Sequence, residues 1–406
     1  MYEDFLRDTM GTMLRMFFFS IIFCVAGVLA AAGCFLMLAV SPLRFDNSIL
    51  TTFGIHKPQI VGFLPYWLLT KADKHYASSI TTLTYFGLMV AGDGSLVKLA
   101  NPKEEEPGWT NLKGDTYRTV LAEGKKNHLK QSLLVVSGDD DAIRAMLVQP
   151  EVAAKNLVFE AAPIMRDNGF TDLNLDIETF MEGSPSSQLQ FTRFVQTVKD
   201  ELVAQNLGTL TIDLIPIALV KPKLYDARAL GAIADTIILM TYDYHYLGSL
   251  TTGAVAPVGG AGETLEFDVE TAVQEALKVI PKDKILLGIP LYGYEWETIG
   301  IAPESATIPG GGSTASTRRI ADLLETCATC SASLDSVAKE PYLIYRENDY
   351  FHQIYYENED SMKEKILLAK KYHLGGVALW ALGYEDSTIL RPLEEYKKSY
   401  ALPFTY

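Results

Sequence analysis

The chain has 406 residues, 48% of them hydrophobic and 21% charged, with a formal net charge of −15 at pH 7. That length supports one large domain or two smaller ones with a substantial core. No Lys/Arg-rich block interrupts the acidic balance, which excludes the electrostatic footprint of a nucleic-acid-binding protein and makes anionic polymers poor partners.

The first predicted element spans residues 17–40, an apolar run without a charge, preceded by Arg7 and Arg15 and followed by Ser41-Pro42-Leu43-Arg44. A helix of that length crosses a bilayer. It exceeds the apolar core of a cleaved signal peptide. Ala31-Ala32-Gly33-Cys34 suggests lipoprotein processing, yet Phe35-Leu36-Met37-Leu38 keeps the run apolar where a polar tether would begin. An uncleaved single-pass membrane anchor over residues 1–44 is therefore expected, with the N-terminus inside and the rest of the chain extracytoplasmic. Cys24 and Cys34 lie within it as apolar fillers, and residues 45–57 form a short linker.

Eight apolar, β-branched runs follow, at residues 59–64, 80–86, 132–137, 170–180, 210–215, 236–242, 285–290 and 375–380. Segments with helical periodicity separate them. Residues 153–165 read as a helix ending near Asn168-Gly169, and Leu189, Phe191, Phe194, Val195, Val198 and Leu202 recur at helical spacing after the fourth run. Alternation of strand and helix predicts parallel strands with helical crossovers, and eight units suggest a closed (β/α)8 barrel, an α/β fold with its site at the C-terminal strand ends. An open doubly wound sheet is the alternative, but no glycine-rich phosphate loop follows the first strand.

The gap before the eighth strand exceeds one crossover, so a small α+β subdomain is expected over about residues 294–371, inside a domain of residues 58–406. It holds a stretch expected to be flexible, Pro309-Gly310-Gly311-Gly312-Ser313, and the pair Cys327 and Cys330. No second CxxC and no neighbouring His complete a zinc site, so outside the cytoplasm a short-loop disulfide is expected.

The fourth run, Phe170-Thr171-Asp172-Leu173-Asn174-Leu175-Asp176-Ile177-Glu178-Thr179-Phe180, places Asn174, Asp176 and Glu178 on one face and Leu173, Leu175 and Ile177 on the other. Buried, such a row is expensive, because like charges repel and each loses water. The same alternation also describes an edge strand with one solvated face.

Four motifs in order resemble glycoside hydrolase family 18: Asn174-x-Asp176-x-Glu178, Met240-Thr241-Tyr242-Asp243, Gly288-Ile289-Pro290-Leu291-Tyr292-Gly293 and Trp380. The resemblance runs from about Val61 to Tyr396. Within the family it is most similar to the bacterial cell-wall and spore-cortex-lytic branch, through residues 345–356 and 375–383. It implies a hydrolase of β-1,4-linked N-acetylglucosamine glycan, chitin or peptidoglycan, in which the substrate's own 2-acetamido group is the nucleophile. Neither metal nor cofactor is implied. Glu178 would be the general acid and then the base, Asp176 would hold the acetamido N–H, and Tyr242 would bind the acetamido oxygen. Asp243 would orient the distorted sugar and Trp380 would floor it, while Tyr292, Trp296 and Trp67 are candidate subsite aromatics.

The family pattern Asp-x-x-Asp-x-Asp-x-Glu is broken here at Thr171 and Asn174. Beside a neutral Asn174, Asp176 is expected to lose one cause of an elevated pKa, to stay ionised to lower pH, and to accept a hydrogen bond from the Asn174 amide. The two missing acids keep open a catalytically weak, glycan-binding alternative and a membrane-anchored scaffold.

Overall fold

The computed structural model describes residues 57–399, apart from residues 73, 74, 264, 328, 329 and 348. The expected membrane span lies outside the described residues. Among them, no helix is long and apolar enough to cross a membrane.

All eight expected runs are strands of one closed parallel barrel: Gln59–Pro65, Thr82–Met89, Lys130–Ser137, Asp172–Ile177, Thr209–Leu214, Thr236–Leu239, Ile285–Pro290 and Gly376–Trp380. The eighth closes on the first, with Gln59 opposite Gly376. Pleating sends Leu173, Leu175 and Ile177 outward, where they are fully buried under helices. Helix Pro150–Asn168 opens on a proline whose missing N–H has no intrahelical partner to lose. It stops at Gly169, whose φ of 68° turns the chain toward the fourth strand. Helix Pro185–Ala204 follows that strand, its Ser184 side chain accepting from the Ser187 N–H, and buries Phe191, Phe194, Val195, Val198 and Leu202.

Inside the barrel, Val61, Phe63, Leu134, Ile238, Leu286 and Ala378 form an apolar core. The fourth and fifth strands instead send polar groups inward. One side of the interior is therefore oily and the other is lined with acids.

Between the seventh and eighth strands lies a five-stranded antiparallel sheet of Thr307–Ser316, Tyr292–Thr298, Tyr350–Tyr355, Glu340–Glu347 and Ser331–Asp335, in that spatial order. It begins at Tyr292 and ends at Tyr355, earlier than expected, because helix Glu359–Lys371 packs on the seventh and eighth barrel strands as their crossover. The stretch 309–313, expected to be flexible, belongs to a strand: Trp296 pairs with Gly312 and Glu295 with Ser313. Ladder hydrogen bonds outweigh its composition, and Gly310, at φ 83°, sits where the register shifts. Cys327 and Cys330 are joined by a disulfide.

A buried charge cluster fastens this sheet to the barrel. Lys365 Nζ lies 2.7 Å from Glu357 and 3.9 Å from Glu340, with all three side chains shut off from solvent. Glu340 also accepts from the Val255 N–H at 2.7 Å and the Ala256 N–H at 2.9 Å, in the segment after the sixth strand.

Candidate active site

The inward row of the fourth strand climbs from Asp172 at the lower end to Glu178 at the top. Asp172 accepts from the hydroxyls of Ser132 at 2.6 Å, Thr209 at 2.6 Å and Thr211 at 3.0 Å. Burial still pushes its carboxyl up to about 6. Asn174 is 1% exposed, and neither atom of its amide meets a hydrogen-bond partner. Asp176 is 4% exposed, with Oδ1 unpartnered.

Glu178 stands just beyond the strand, half-buried, its N–H donating to the Ser137 carbonyl at 2.8 Å. Tyr225 fastens this corner: its hydroxyl donates to the Ile177 carbonyl at 2.5 Å and accepts from the Thr179 N–H at 3.0 Å. Burial raises the Glu178 carboxyl above the usual range, and the nearby Asp243 charge adds to that, while a hydrogen bond with Asp176 works the other way. A carboxyl kept protonated at the top of a barrel is equipped to donate a proton.

Asp176 departs from expectation. Its carboxyl is pushed well up, first by burial and then by the charges of Glu178 and Asp213. Asp213, absent from the sequence reading, supplies the negative neighbour that Asn174 lacks. It lies on the fifth strand, 4% exposed, with Oδ1 unpartnered. The Asn174 amide, expected to support Asp176, lies instead beside Asp213 and draws that carboxyl's pKa down against the larger effect of burial. A faint signal existed in Leu210-Thr211-Ile212-Asp213-Leu214, which alternates as the fourth strand does.

The sixth strand delivers Tyr242, half-buried, whose hydroxyl is held protonated by burial and by the carboxylates around it. Asp243 follows at φ 61°, a left-handed backbone that swings its side chain toward the subdomain. There its Oδ1 accepts from the Tyr292 hydroxyl and, at 3.0 Å, from the Tyr294 hydroxyl. Tyr292 is 2% exposed and so orients Asp243 through its hydroxyl, with no ring face left for a sugar.

Trp296 is 1% exposed, packed against Tyr294 and Tyr355 with its Nε1 donating to the Tyr246 carbonyl at 3.2 Å. It is subdomain core, which corrects the expectation of a subsite ring: its strand buries both faces, so alternation did not reveal a cleft side. Trp380, at the eighth strand's end, is half-buried, with edge contacts to Phe86 at 4.8 Å and Phe63 at 5.7 Å. Trp67 stands 6.4 Å from Trp380 and is 45% exposed.

Beside Glu178 lies a hollow of about 240 Å³ walled by Phe180, Ile215, Ile217, Met240 and Phe267. An outer hollow of about 880 Å³ near Trp109 contains Lys98 and Lys113, but these pair with Glu160 and Glu105. Among the described residues, no group of three or more His, Cys, Asp or Glu is placed to hold a metal ion.

The sequence profile described as Glycosyl hydrolases family 18 matches residues 59–385. The chain belongs to that family. It is thereby a glycosidase by descent. It is 26% identical over 326 residues to the cortical fragment-lytic enzyme of Bacillus subtilis (strain 168), spanning 78% of this chain and 67% of that one. Its fold matches the Bacillus megaterium QM B1551 spore cortex-lytic enzyme SleL at a TM-score of 0.67 and 21% identity, over 84% of this chain and 74% of the other. A Cycas revoluta GH18 chitinase mutant in complex with (GlcNAc)4 matches at a TM-score of 0.68 and 20% identity, over 85% of this chain and all of that one.

Proposed function

We propose that this family 18 protein hydrolyses β-1,4 linkages in N-acetylglucosamine-containing glycan of the cell envelope, with retention and with the substrate's acetamido group as nucleophile. The contact between Asp176 and Glu178 carries this reading. A retaining enzyme with its own nucleophile holds two carboxyls about 5–5.5 Å apart on either side of the sugar. Here Asp176 is 4% exposed and close enough to Glu178 for the two carboxyls to share a hydrogen bond, nearer than that spacing.

The acetamido oxygen can supply the missing nucleophile. Glu178 gives its proton to the glycosidic oxygen, the acetamido oxygen bonds to the anomeric carbon, and the leaving sugar departs with that proton. Asp176 accepts the acetamido N–H and balances the oxazolinium charge, while Tyr242 donates to the acetamido oxygen. Water then attacks the anomeric carbon, gives its proton to Glu178, and reopens the ring with the original configuration.

Reducing-end release from chitin oligomers and from peptidoglycan tests the reading. Wild type should release ends from at least one, with the β-anomer first by NMR, and Glu178→Gln should be slower by about 10²–10⁴-fold. No release from either polymer refutes it. The membrane anchor over residues 1–44 is part of the proposal, since it would keep the barrel near that glycan. Retention of the full chain, but not of residues 45–406, in the membrane fraction tests it.

A further inference from the structure

The interior holds more acid than the reaction just described consumes. Asp176 and Glu178 have work in it, and Asp172 is taken up by three hydroxyls. Asp213 has neither a task nor a hydrogen bond to its Oδ1.

Register brings it to Asp176. Asn174 pairs with Thr211 and Leu175 with Ile212, so the next rung sets Asp176 beside Asp213. Parallel neighbours run about 4.8 Å apart and like rungs point the same way. Asp213 in turn lies beside Ile238 of the sixth strand, and Asp176 beside Val136 of the third. Apolar side chains therefore close both flanks. The titratable company is Glu178 above, Asp172 below and Tyr242 from the sixth strand. Among the described residues, no cation is among the groups acting on Asp176, Glu178 or Asp213.

We propose that Asp213 is the positioning acid of this site: it holds a proton against Asp176 from the neighbouring strand, in place of an acid at position 174. The inference rests on the substrate-assisted reading above. Two buried carboxyls on one rung of adjacent strands with no cation cannot both ionise, so the pair keeps one proton. If Asp176 held it, the acetamido N–H would face a neutral acid. With the proton on Asp213, Asp176 keeps its charge, fixed by a hydrogen bond from the neighbouring strand and directed upward by its other oxygen. Burial raises both carboxyls, with the charges of Glu178 and Asp213 adding to it at Asp176 and those of Glu178 and Asp172 at Asp213, which agrees with a retained proton. Asn174 supports the arrangement by staying neutral between Asp172 and Asp176, so that the charged row is not continuous.

The test compares Asp213→Asn with Asn174→Asp/Asp213→Asn, which moves the acid back to the fourth strand. Asp213→Asn should lower kcat about 10- to 100-fold at nearly unchanged KM. It should leave the alkaline limb of kcat/KM in place, because Asp213 carries a proton in the wild type and its replacement removes no negative charge near Glu178. The double variant should recover most of the lost rate. By infrared difference spectroscopy at neutral pH, the protonated-carboxyl band should weaken in Asp213→Asn and return in the double variant.

A wild-type rate in Asp213→Asn overturns the proposal, as does an unchanged carboxyl band. So does a folded double variant no faster than the single one. If Asp213→Asn does not unfold cooperatively, the rate and band of the double variant decide alone. A wild type inactive on both glycans sinks the hydrolase reading, while the infrared band still decides whether Asp213 holds the proton.

Discussion

Lys365→Met should destabilise the protein by about 3–5 kcal/mol at pH 8, because it leaves two carboxylates in a dry interior without their cation. Lys365 Nζ is 2.7 Å from Glu357 and 3.9 Å from Glu340. At an effective dielectric of about 20 those separations correspond to roughly 6 and 4 kcal/mol of attraction, part of which offsets the desolvation of the three charges. Burial already pushes Glu340 up to about 7 and raises Glu357, with Lys365 opposing both. Without Lys365 both rise further. A carboxyl whose folded pKa exceeds its unfolded value contributes stability at low pH that is lost as pH rises through the folded pKa. The variant should therefore be closest to wild type near pH 5 and furthest from it at pH 8. Urea denaturation followed by circular dichroism at the two pH values measures this. A loss under about 1 kcal/mol at pH 8, or an equal loss at both, would refute the reasoning.

Other expectations concern the site itself. Tyr294→Phe removes one of two hydroxyls donating to Asp243 and should reduce kcat/KM by about 10-fold, the worth of one hydrogen bond to a charged group; an unchanged value removes the orienting role. Trp380→Ala deletes the ring proposed to floor the sugar and should reduce kcat/KM on chitin oligomers by about 100-fold while expression and fold persist. Asp172, raised to about 6, should make wild type lose stability as pH rises from 4 to 6. With its partial solvent access that loss is roughly 1–2 kcal/mol, and Asp172→Asn should flatten it in thermal melts.

Much of this was legible from the chain because strand and helix periodicities differ and because turns left signatures such as Asn168-Gly169. Glu178, Asp176 and Tyr242 could be placed by motif, since each sits at or just beyond a strand end where the backbone alone fixes its height. What could not be read was lateral. Asp213 reaches Asp176 across a rung between strands, and a single acid in an apolar run gives no sign of which neighbour it meets. The expectation of a readily ionised Asp176 failed for that reason: it considered only position 174 on the same strand. Trp296 failed differently, because both faces of the subdomain sheet are covered, against Tyr355 on one side and Ile320 and Leu343 on the other.

Closure of the first strand on the eighth also has a consequence for synthesis. Gln59 meets Gly376 only after some 320 further residues have been made, roughly 15 to 60 s at ordinary ribosomal speeds. Throughout that interval the first strand presents an open edge, joined by the seventh once it is made, and the half-formed wall lets water reach Asp172, Asp176 and Asp213. Nascent chains should therefore carry these carboxyls ionised, and the Asp176–Asp213 pair should take up its one proton only when Trp380 arrives. A ribosome-bound chain halted before residue 375 would bind chaperones and lack the site altogether, so the last barrel strand commits both the fold and the acidity of its interior.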